Sequence, residues 1–191
     1  MKTQNVFTMK KTMAVTLFLV VLGFACSSTG GDSKKEKIKP PAMDLHAAAL
    51  MGDLDVIRQH VEAGSDLNEA EPSVGSSPLI TASVFGKTEA AIALIEAGAD
   101  VNFQNREKST ALHTAAFLCR TEIVQALLEN GADKTLKNIY GSTPLESVAG
   151  PYGDVKAVYE QFAKDLGSLG LKLDYEYLES TRPVIAEMLQ E

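Results

Sequence analysis

Apolar and small residues recur in this chain with a period that predicts stacked pairs of helices. Four short segments resemble one another, and each contains a leucine: Leu45, Leu79, Leu112 and Leu145. These leucines are separated by 34, 33 and 33 residues, and each begins a run with helical spacing. A second run with apolar residues three or four positions apart follows in each period, which is typical of an amphipathic helix. The pattern predicts an all-α chain of about four helix-turn-helix repeats.

The ends of these predicted helices carry residues that suit helix termini. Ser77-Pro78 and Thr143-Pro144 open two first helices, because the hydroxyl can cap the helix and proline needs no partner for a missing N–H. Glycines follow the first and second helices in turn: Gly52, Gly64, Gly86, Gly98, Gly131 and Gly153. Glycine accepts the positive φ angle that commonly ends a helix, so a turn is predicted at each of them. Cys119 takes the glycine's place in the third repeat.

Two motifs that recur at this period give the chain a family resemblance. One is of the Thr-Pro-Leu-His-x-Ala type, as in the stretch from Thr110 to Ala115, and the other is the Gly-Ala-Asp-x-Asn of Gly98 to Asn102. The chain therefore resembles ankyrin-repeat proteins of the small exported bacterial type. The resemblance implies an ankyrin-repeat solenoid with hairpin loops between repeats. It also implies that His46 and His113 hydrogen-bond between neighbouring loops, whereas His60, on a second helix, is expected to be exposed.

The repeat domain is predicted to span 42–191. Its repeats are expected at about 42–74, 75–107, 108–140 and 141–166, with the last second helix at roughly 154–166. Residues 167–191 are predicted to form a C-terminal helical cap, because the last repeat would otherwise expose its apolar side. Within the cap, 174–180 and 183–190 are predicted as two helices, with Thr181 capping the second.

The start of the chain has the pattern of an export signal. An uncharged apolar run of 13 residues, Met13 to Ala25, follows lysines and is too short to cross a bilayer as a helix. Its end resembles the lipobox of bacterial lipoproteins, except that Gly23 stands where leucine is usual. We predict a signal peptide at 1–25, a lipid on Cys26 and a flexible tether at 26–41. The alternative is an ordinary cleaved signal with a chance cysteine.

The lipoprotein interpretation carries a prediction of location. It implies a lipid-anchored protein on the periplasmic side of the bacterial cell envelope. The serine after Cys26 resembles lipoproteins that are passed on to the outer membrane, which favours the outer over the inner membrane. The chain resembles small exported ankyrin proteins that are linked to catalase and peroxide defence. This resemblance implies a stress-related partner.

Charge and motif content argue against several other functions. After subtraction of the three lysines before Cys26, 15 basic and 25 acidic residues remain, a net charge of −10. Such a domain repels phosphates, so nucleic acid is not a predicted partner. Neither a histidine pair with metal-ligand spacing nor a phosphate loop is present, so no metal, cofactor or catalysis is predicted. Cys119 lies beside Arg120, which leaves a redox role open as an alternative to an inert, partly buried thiol.

A row of apolar pairs is the predicted partner-binding surface. The pairs precede the mid-repeat turns: Leu50-Met51, Val84-Phe85, Phe117-Leu118 and Pro151-Tyr152. The resemblance implies that these positions face the concave side, where they would hold an unknown protein partner, and that Arg106 and Lys108 at a hairpin tip add contacts. The alternative is that one residue of each pair packs between repeats. An envelope-stabilising lipoprotein without a dedicated client also remains open.

Overall fold

The computed structural model describes residues 38–191, and these residues contain nine α-helices and one 3-10 turn joined by loops. The helices are α1 Leu45–Met51, α2 Leu54–Ala63, α3 Pro78–Phe85, α4 Thr88–Glu96, α5 Ala111–Phe117, α6 Thr121–Glu129, α7 Glu146–Ala149, α8 Tyr152–Leu166 and α9 Tyr175–Gln190, and the turn is Gly167–Leu169. These residues contain no β-strand. The predicted signal peptide, Cys26 and most of the tether lie outside the described residues. From residue 38 onwards, no helix is both long enough and apolar enough to cross a membrane.

Side-chain caps begin the first helices of the repeats. In α1, α3 and α5 the cap accepts a hydrogen bond from the backbone N–H three residues later, and the caps are Asp44, Ser77 and Thr110. In the fourth repeat Thr143 Oγ1 accepts from the N–H of Glu146 at 3.2 Å, and the Glu146 carboxylate accepts from the N–H of Thr143 at 2.7 Å. This reciprocal pair is a capping box. The predicted start at Ser77-Pro78 is confirmed, whereas α7 begins two residues after Pro144.

Positive φ angles separate the two helices of the first three repeats. The angle is 78° at Gly52, 61° at Gly86 and 54° at Cys119, so the cysteine adopts the conformation that glycine has in the earlier repeats. The prediction for Gly153 is wrong, because this residue lies inside α8. The chain leaves α7 through extended backbone at Gly150-Pro151 and needs no left-handed residue there.

Packing between repeats buries the small and apolar faces of the helices. The first helices α1, α3, α5 and α7 lie side by side in one row, and α2, α4 and α6 lie in a second row. The interior of the stack is rich in fully buried alanines: Ala48, Ala49, Ala82, Ala91, Ala115 and Ala116. The four motif leucines share this core, with Leu45, Leu79 and Leu112 buried and Leu145 partly buried. The solenoid of stacked helix pairs predicted from the period is confirmed.

Hydrogen bonds between successive hairpin loops hold the repeats in register. The N–H of Arg106 donates to Val74 O at 3.0 Å, and the N–H of Ile139 donates to Glu107 O at 2.9 Å. Asparagine side chains also accept from the next loop: Asn68 from Asp100 N and Asn102 from Asp133 N, both at 2.8 Å. These bonds satisfy backbone groups that the hairpins would otherwise leave unpaired.

The histidines connect helices to loops, two of them as predicted. The motif histidines reach the carbonyls of the following loop: His46 Nε2 to Glu69 O at 2.8 Å and His113 Nε2 to Ser142 O at 3.0 Å. The prediction that His60 is exposed is wrong. This side chain is buried, with Nε2 at 2.8 Å from Met43 O and Nδ1 at 2.9 Å from Ser65 Oγ. His60 thereby ties α2 to the residues that precede α1.

A single helix, α9, replaces the two short helices predicted in the C-terminal segment. Its buried residues form one continuous stripe: Leu178, Arg182, Ile185 and Leu189. The stripe passes Pro183, which lies inside the helix. A proline in a helix interior costs about 3 kcal/mol, so burial along the stripe must outweigh that cost. Thr181 therefore lies within the helix and does not cap a new one.

Helix α9 also occupies the place expected for the second helix of the fourth repeat. It packs against α7, as the second helix of each earlier repeat packs against the first, and it reaches α5 and α6. Helix α8 has nearly the predicted extent, but its aromatic residues Tyr159 and Phe162 lie against Phe117 of α5. The fourth repeat is thus completed by the C-terminal helix, and α8 is inserted between its two halves.

The hydroxyl of Tyr159 links three helices and gives a test of this arrangement. It donates to Phe117 O at 2.6 Å and accepts from Arg182 Nη1 at 2.8 Å. We expect Tyr159→Phe to lower the free energy of unfolding by about 1–3 kcal/mol, because both partners lose a buried hydrogen bond. Urea denaturation followed by circular dichroism measures the change. Tyr140→Phe is the matched control, because that side chain is 75% exposed; equal unfolding midpoints for the two variants would contradict the prediction.

Candidate protein-binding surface

The predicted apolar stripe is open to solvent on the first two repeats. Met51 and Phe85 are the last residues of α1 and α3, and these two helices pack side by side. Met51 is 60% exposed, and Leu50, Val84 and Phe85 are half-buried. Val84 packs partly against the core, and all four side chains reach the surface. This part of the stripe can contact a partner without unfolding of any element.

On the third repeat the stripe is covered by the chain itself. Leu118 is fully buried, so it packs in the core and offers no surface to a partner. The ring of Phe117 stacks on Tyr159, with ring centroids 4.5 Å apart and planes inclined by 21°. Phe162 covers the same ring at 5.8 Å. Helix α8 therefore occupies the surface that the repeat pattern assigns to a partner.

The fourth pair belongs to the same aromatic cluster. Tyr152 is half-buried and stacks on Tyr159 at 5.8 Å, whereas Pro151 is exposed. Residues Tyr152, Val155, Tyr159 and Phe162 lie three or four positions apart along α8 and form its apolar face. That spacing is visible in the sequence and indicates a buried face. The period of the repeats says nothing about what that face covers, and the sequence reasoning missed its contact with Phe117.

Arg106 and Lys108 lie at the tip of the hairpin between the second and third repeats. Both side chains are exposed. The Arg106 guanidinium also donates to the carbonyls of Pro72 and Ser73 in the preceding hairpin, so it braces the row of hairpins as well as facing solvent. Lys108 has a positive φ of 54°, which tightens the turn.

Other hairpin tips expose apolar residues that the sequence reasoning did not select. Val74 is 45%, Ile139 54% and Tyr140 75% exposed. The last two follow Asn138, whose side-chain oxygen accepts from Tyr140 N at 3.0 Å and from Ser142 N at 3.1 Å. Exposed apolar side chains of this size can mark a contact surface. Their position in a predicted hairpin loop is visible in the sequence and could have identified them as candidates.

Glu71 organises the first hairpin. Its carboxylate accepts from Ser73 N at 2.6 Å, Val74 N at 2.8 Å and Ser76 N at 3.1 Å, and from the Ser73 hydroxyl at 2.6 Å. Burial acts to raise the pKa of Glu71, but the hydrogen bonds from these residues outweigh it and lower the pKa to about 2. Bonds to the charged form stabilise that form, so the loop depends on an ionised carboxylate.

Cys119 has the surroundings of a structural thiol. It is buried, and burial raises its pKa to about 11, although the charges of Arg182 and Arg120 act in the opposite direction. The thiolate is the reactive form of cysteine, so a raised pKa weakens the redox interpretation. Over the described range, no group of three His, Cys, Asp or Glu residues is placed to hold a metal ion.

Sequence comparison places this architecture in a known class. Residues 45–138 match the family model for ankyrin repeats (3 copies). Inversin from Gallus gallus is 38% identical over 72 residues, which are 38% of this chain and 6% of that protein. DNA-binding protein RFXANK from Homo sapiens is 36% identical over 71 residues, which are 37% of this chain and 27% of that protein.

A solved structure agrees with these matches. The crystal structure of the ankyrin repeat domain of Bcl-3, a member of the IkappaB protein family, is similar with a TM-score of 0.52 and 33% sequence identity, over 54% of this chain and 45% of that one. The similarity spans less than two thirds of each of these relatives. The chain contains ankyrin repeats, and its fold is an ankyrin-repeat solenoid. Ankyrin repeats are protein–protein interaction modules, so the fold defines an interaction module.

The pKa of Glu71 gives a prediction of pH dependence. Ionised Glu71 stabilises the fold fully above its ordinary pKa of 4.5, and this contribution is lost as the pH falls towards about 2. At neutral pH we expect Glu71→Gln to lower the melting temperature by about 2 °C, since a largely solvated loop contributes modestly. Thermal unfolding at a series of pH values measures the difference, which should shrink below pH 4.5. Glu69→Gln is the control; a Glu71→Gln difference that grows in acid would contradict the prediction.

Proposed function

We propose that this protein is a lipid-anchored, non-catalytic binding module of the bacterial cell envelope that holds a protein partner against its first two repeats. The observation that carries the proposal is the open apolar strip of Met51, Val84 and Phe85 on a braced stack. A surface that is already ordered loses little conformational entropy on binding, which favours affinity. Arg106 and Lys108, at the tip of the hairpin before α5, are a second contact area in this proposal and carry positive charge.

The position of the partner follows from what α8 covers. Because α8 lies on Phe117 and Leu118 is buried, the third repeat contributes no open apolar strip. The partner therefore contacts four residues of the first two repeats: Leu50, Met51, Val84 and Phe85. Helix α8 borders this contact area. Its own contact surface is apolar at the centre, since the centre of a protein interface is depleted in charge.

The anchor in this proposal is the lipid on Cys26. The leader of 1–25 with its lipobox-like end supports it, as does the Ser-, Gly- and Lys-rich tether that follows. Residues 38–191 carry 12 basic and 23 acidic side chains, a net charge of −11, so this domain by itself is repelled by anionic membrane surfaces. A covalent lipid would overcome that repulsion and keep the module at the membrane, on the periplasmic side and at the outer membrane. The resemblance to small exported ankyrin proteins supports a stress-related partner.

Substitution of the most exposed residue of the strip tests the binding surface. We expect Met51→Glu to reduce capture of the partner from detergent-solubilised cells at least about ten-fold, because it places a charge at the centre of an apolar contact. Quantitative mass spectrometry of co-purified proteins measures the loss. Because Met51 is 60% exposed, the variant should keep the wild-type melting temperature.

The matched control is Val61→Glu on α2, where the side chain is 38% exposed but lies on a second helix. This control should leave capture unchanged. Equal loss in both variants would indicate a general effect of charge and contradict the assigned surface. If no stoichiometric protein co-purifies with the wild type, a structural envelope role without a dedicated client replaces the binding role.

A separate measurement tests the anchor. We expect mass spectrometry of the protein purified from its native membrane to show loss of residues 1–25 and a diacylglyceryl group on Cys26. Cys26→Ser should move the protein from the membrane fraction to the soluble fraction of the envelope, because a single acyl-bearing residue is the proposed attachment. An unmodified N-terminus at another position would refute the anchor and leave the binding surface unaffected.

A further inference from the structure

Two cations border the apolar strip of the first two repeats. The side chain of Lys87 lies over Gly52, the glycine that ends the first helix of the first repeat. Arg120 lies over Gly86 in the same way, one repeat further along. The Nη2 of Arg120 also donates to Val84 O at 3.3 Å, within the strip itself. Each apolar pair of the strip is therefore followed by a glycine that a cation of the next repeat covers.

The described part of the chain neutralises neither of these cations. The ion pairs among residues 38–191 are two surface pairs elsewhere, so no carboxylate there pairs with Lys87 or Arg120. Glu89 and Glu122 follow them closely in sequence, but both are exposed in the first turns of α4 and α6. The Asp53 carboxylate is used to cap α2, where it accepts from Val56 N at 3.1 Å. Two positive charges beside an apolar surface are thus left without a partner in this domain.

Arg120 also has unused hydrogen-bond donors. Its side chain is half-buried, and burial lowers the pKa of the guanidinium, although Tyr177 and Cys119 act in the opposite direction. Among the described residues Nε has no hydrogen-bond partner and is buried, whereas Nη1 has no partner there and is not buried. A guanidinium has five N–H donors, and its partial burial without an opposite charge is costly. A carboxylate at Nη1 would satisfy a donor and offset that cost.

The spacing of the two cations limits the groups that they can bind together. They belong to successive repeats, and packed helices lie about 8–10 Å apart, so Lys87 and Arg120 are separated by roughly that distance. A single C-terminal carboxylate pairs with only one of them. Two acidic side chains on one segment can pair with both, for example roughly seven residues apart on a helix that rises about 1.5 Å per residue.

We propose that the strip recognises an apolar segment of its protein partner that carries two acidic side chains, one at Lys87 and one at Arg120. The inference rests on the binding function proposed above and names the chemistry of the partner. Apolar side chains of the segment pack on Met51, Val84 and Phe85, beside the two ion pairs. Because residues 38–191 have a net charge of −11, acidic groups placed elsewhere on the partner are repelled. The two cations therefore fix the register of the segment on the strip.

Selection of a phage-displayed random peptide library on the purified full-length chain tests this chemistry. Peptides recovered with the wild type are expected to carry acidic residues beside apolar ones, at least about three-fold above their frequency in the unselected library. The double substitution Lys87→Gln and Arg120→Gln should abolish this acidic enrichment, because it removes both positive charges. Lys172→Gln, at an exposed lysine before α9, is the matched control and should leave the enrichment unchanged.

Two further variants separate recognition from a structural role of Arg120. Arg120→Lys keeps the charge and should retain acidic enrichment, and Lys87→Gln alone should lose one of the two acidic positions with an unchanged melting temperature. Substitution of an acidic residue by its amide in a recovered peptide should weaken binding to the wild type about ten-fold in isothermal titration calorimetry. The same change should have little effect on binding to the variant that lacks the matching cation.

The outcomes distinguish this inference from the proposed function. Acidic enrichment that persists in the double variant, or recovered peptides without acidic residues, would overturn the inference. If such peptides are nevertheless lost with Met51→Glu, the apolar strip remains the binding surface and only the assigned charges are wrong. Failure to enrich any peptide would also overturn the inference, and capture of a partner from cells would still decide the binding function.

Discussion

Close approach of small side chains between neighbouring first helices is the contact on which this fold depends. Alanines such as Ala48, Ala82 and Ala115 are fully buried where α1, α3 and α5 lie side by side. A single pair of helices this short cannot hide its own apolar face, so each repeat gains stability only from its neighbours. The hairpin hydrogen bonds then fix the spacing that this packing requires, and they keep the exposed strip of the first two repeats in one arrangement. Rigidity at the surface is thus a consequence of packing inside.

Because each repeat depends on its neighbours, the last repeat must be covered by another part of the chain. The helices that cover it determine which part of the apolar stripe stays exposed. Among residues 38–191 no further repeat stacks on the fourth; α9 packs instead against α7 and the third repeat, and α8 lies over Phe117. The chain of hydrogen bonds from Arg182 to Tyr159 to the Phe117 carbonyl joins these pieces. Stability at this end is obtained by covering surface that a partner could otherwise use. The open part of the apolar stripe therefore lies on the first two repeats, away from α9.

Whether a feature could be predicted from the sequence depends on whether its contacts recur in every repeat or occur only once. The number of repeats, the caps and the turns at Gly52 and Gly86 depend on contacts that recur at the period, so the repeating sequence predicts them. The roles of His46 and His113 are instead what the family resemblance implies. The burial of His60 depends on Met43 and Ser65, which have no counterpart in other repeats. The position of α8 depends on aromatic packing with Phe117, and helical spacing shows that α8 has an apolar face without showing what covers it. The continuity of α9 through Pro183 likewise rests on tertiary burial that outweighs a local preference.

The break in the repeat pattern at Cys119 marks the place where the non-repeating helix docks. The residue that follows each mid-repeat turn lies over the turn glycine of the preceding repeat. Lys87 lies over Gly52, and Arg120 lies over Gly86. The fourth repeat has no such turn to cover Cys119, and α9 covers it instead. Tyr177 Oη donates to Cys119 O at 3.3 Å, and the Cys119 thiol lies 3.7 Å from Leu178 O. A side chain other than glycine at a φ of 54° costs about 1 kcal/mol. Cysteine is tolerated at this turn because its thiol fills the contact with α9, and a glycine would leave that contact empty.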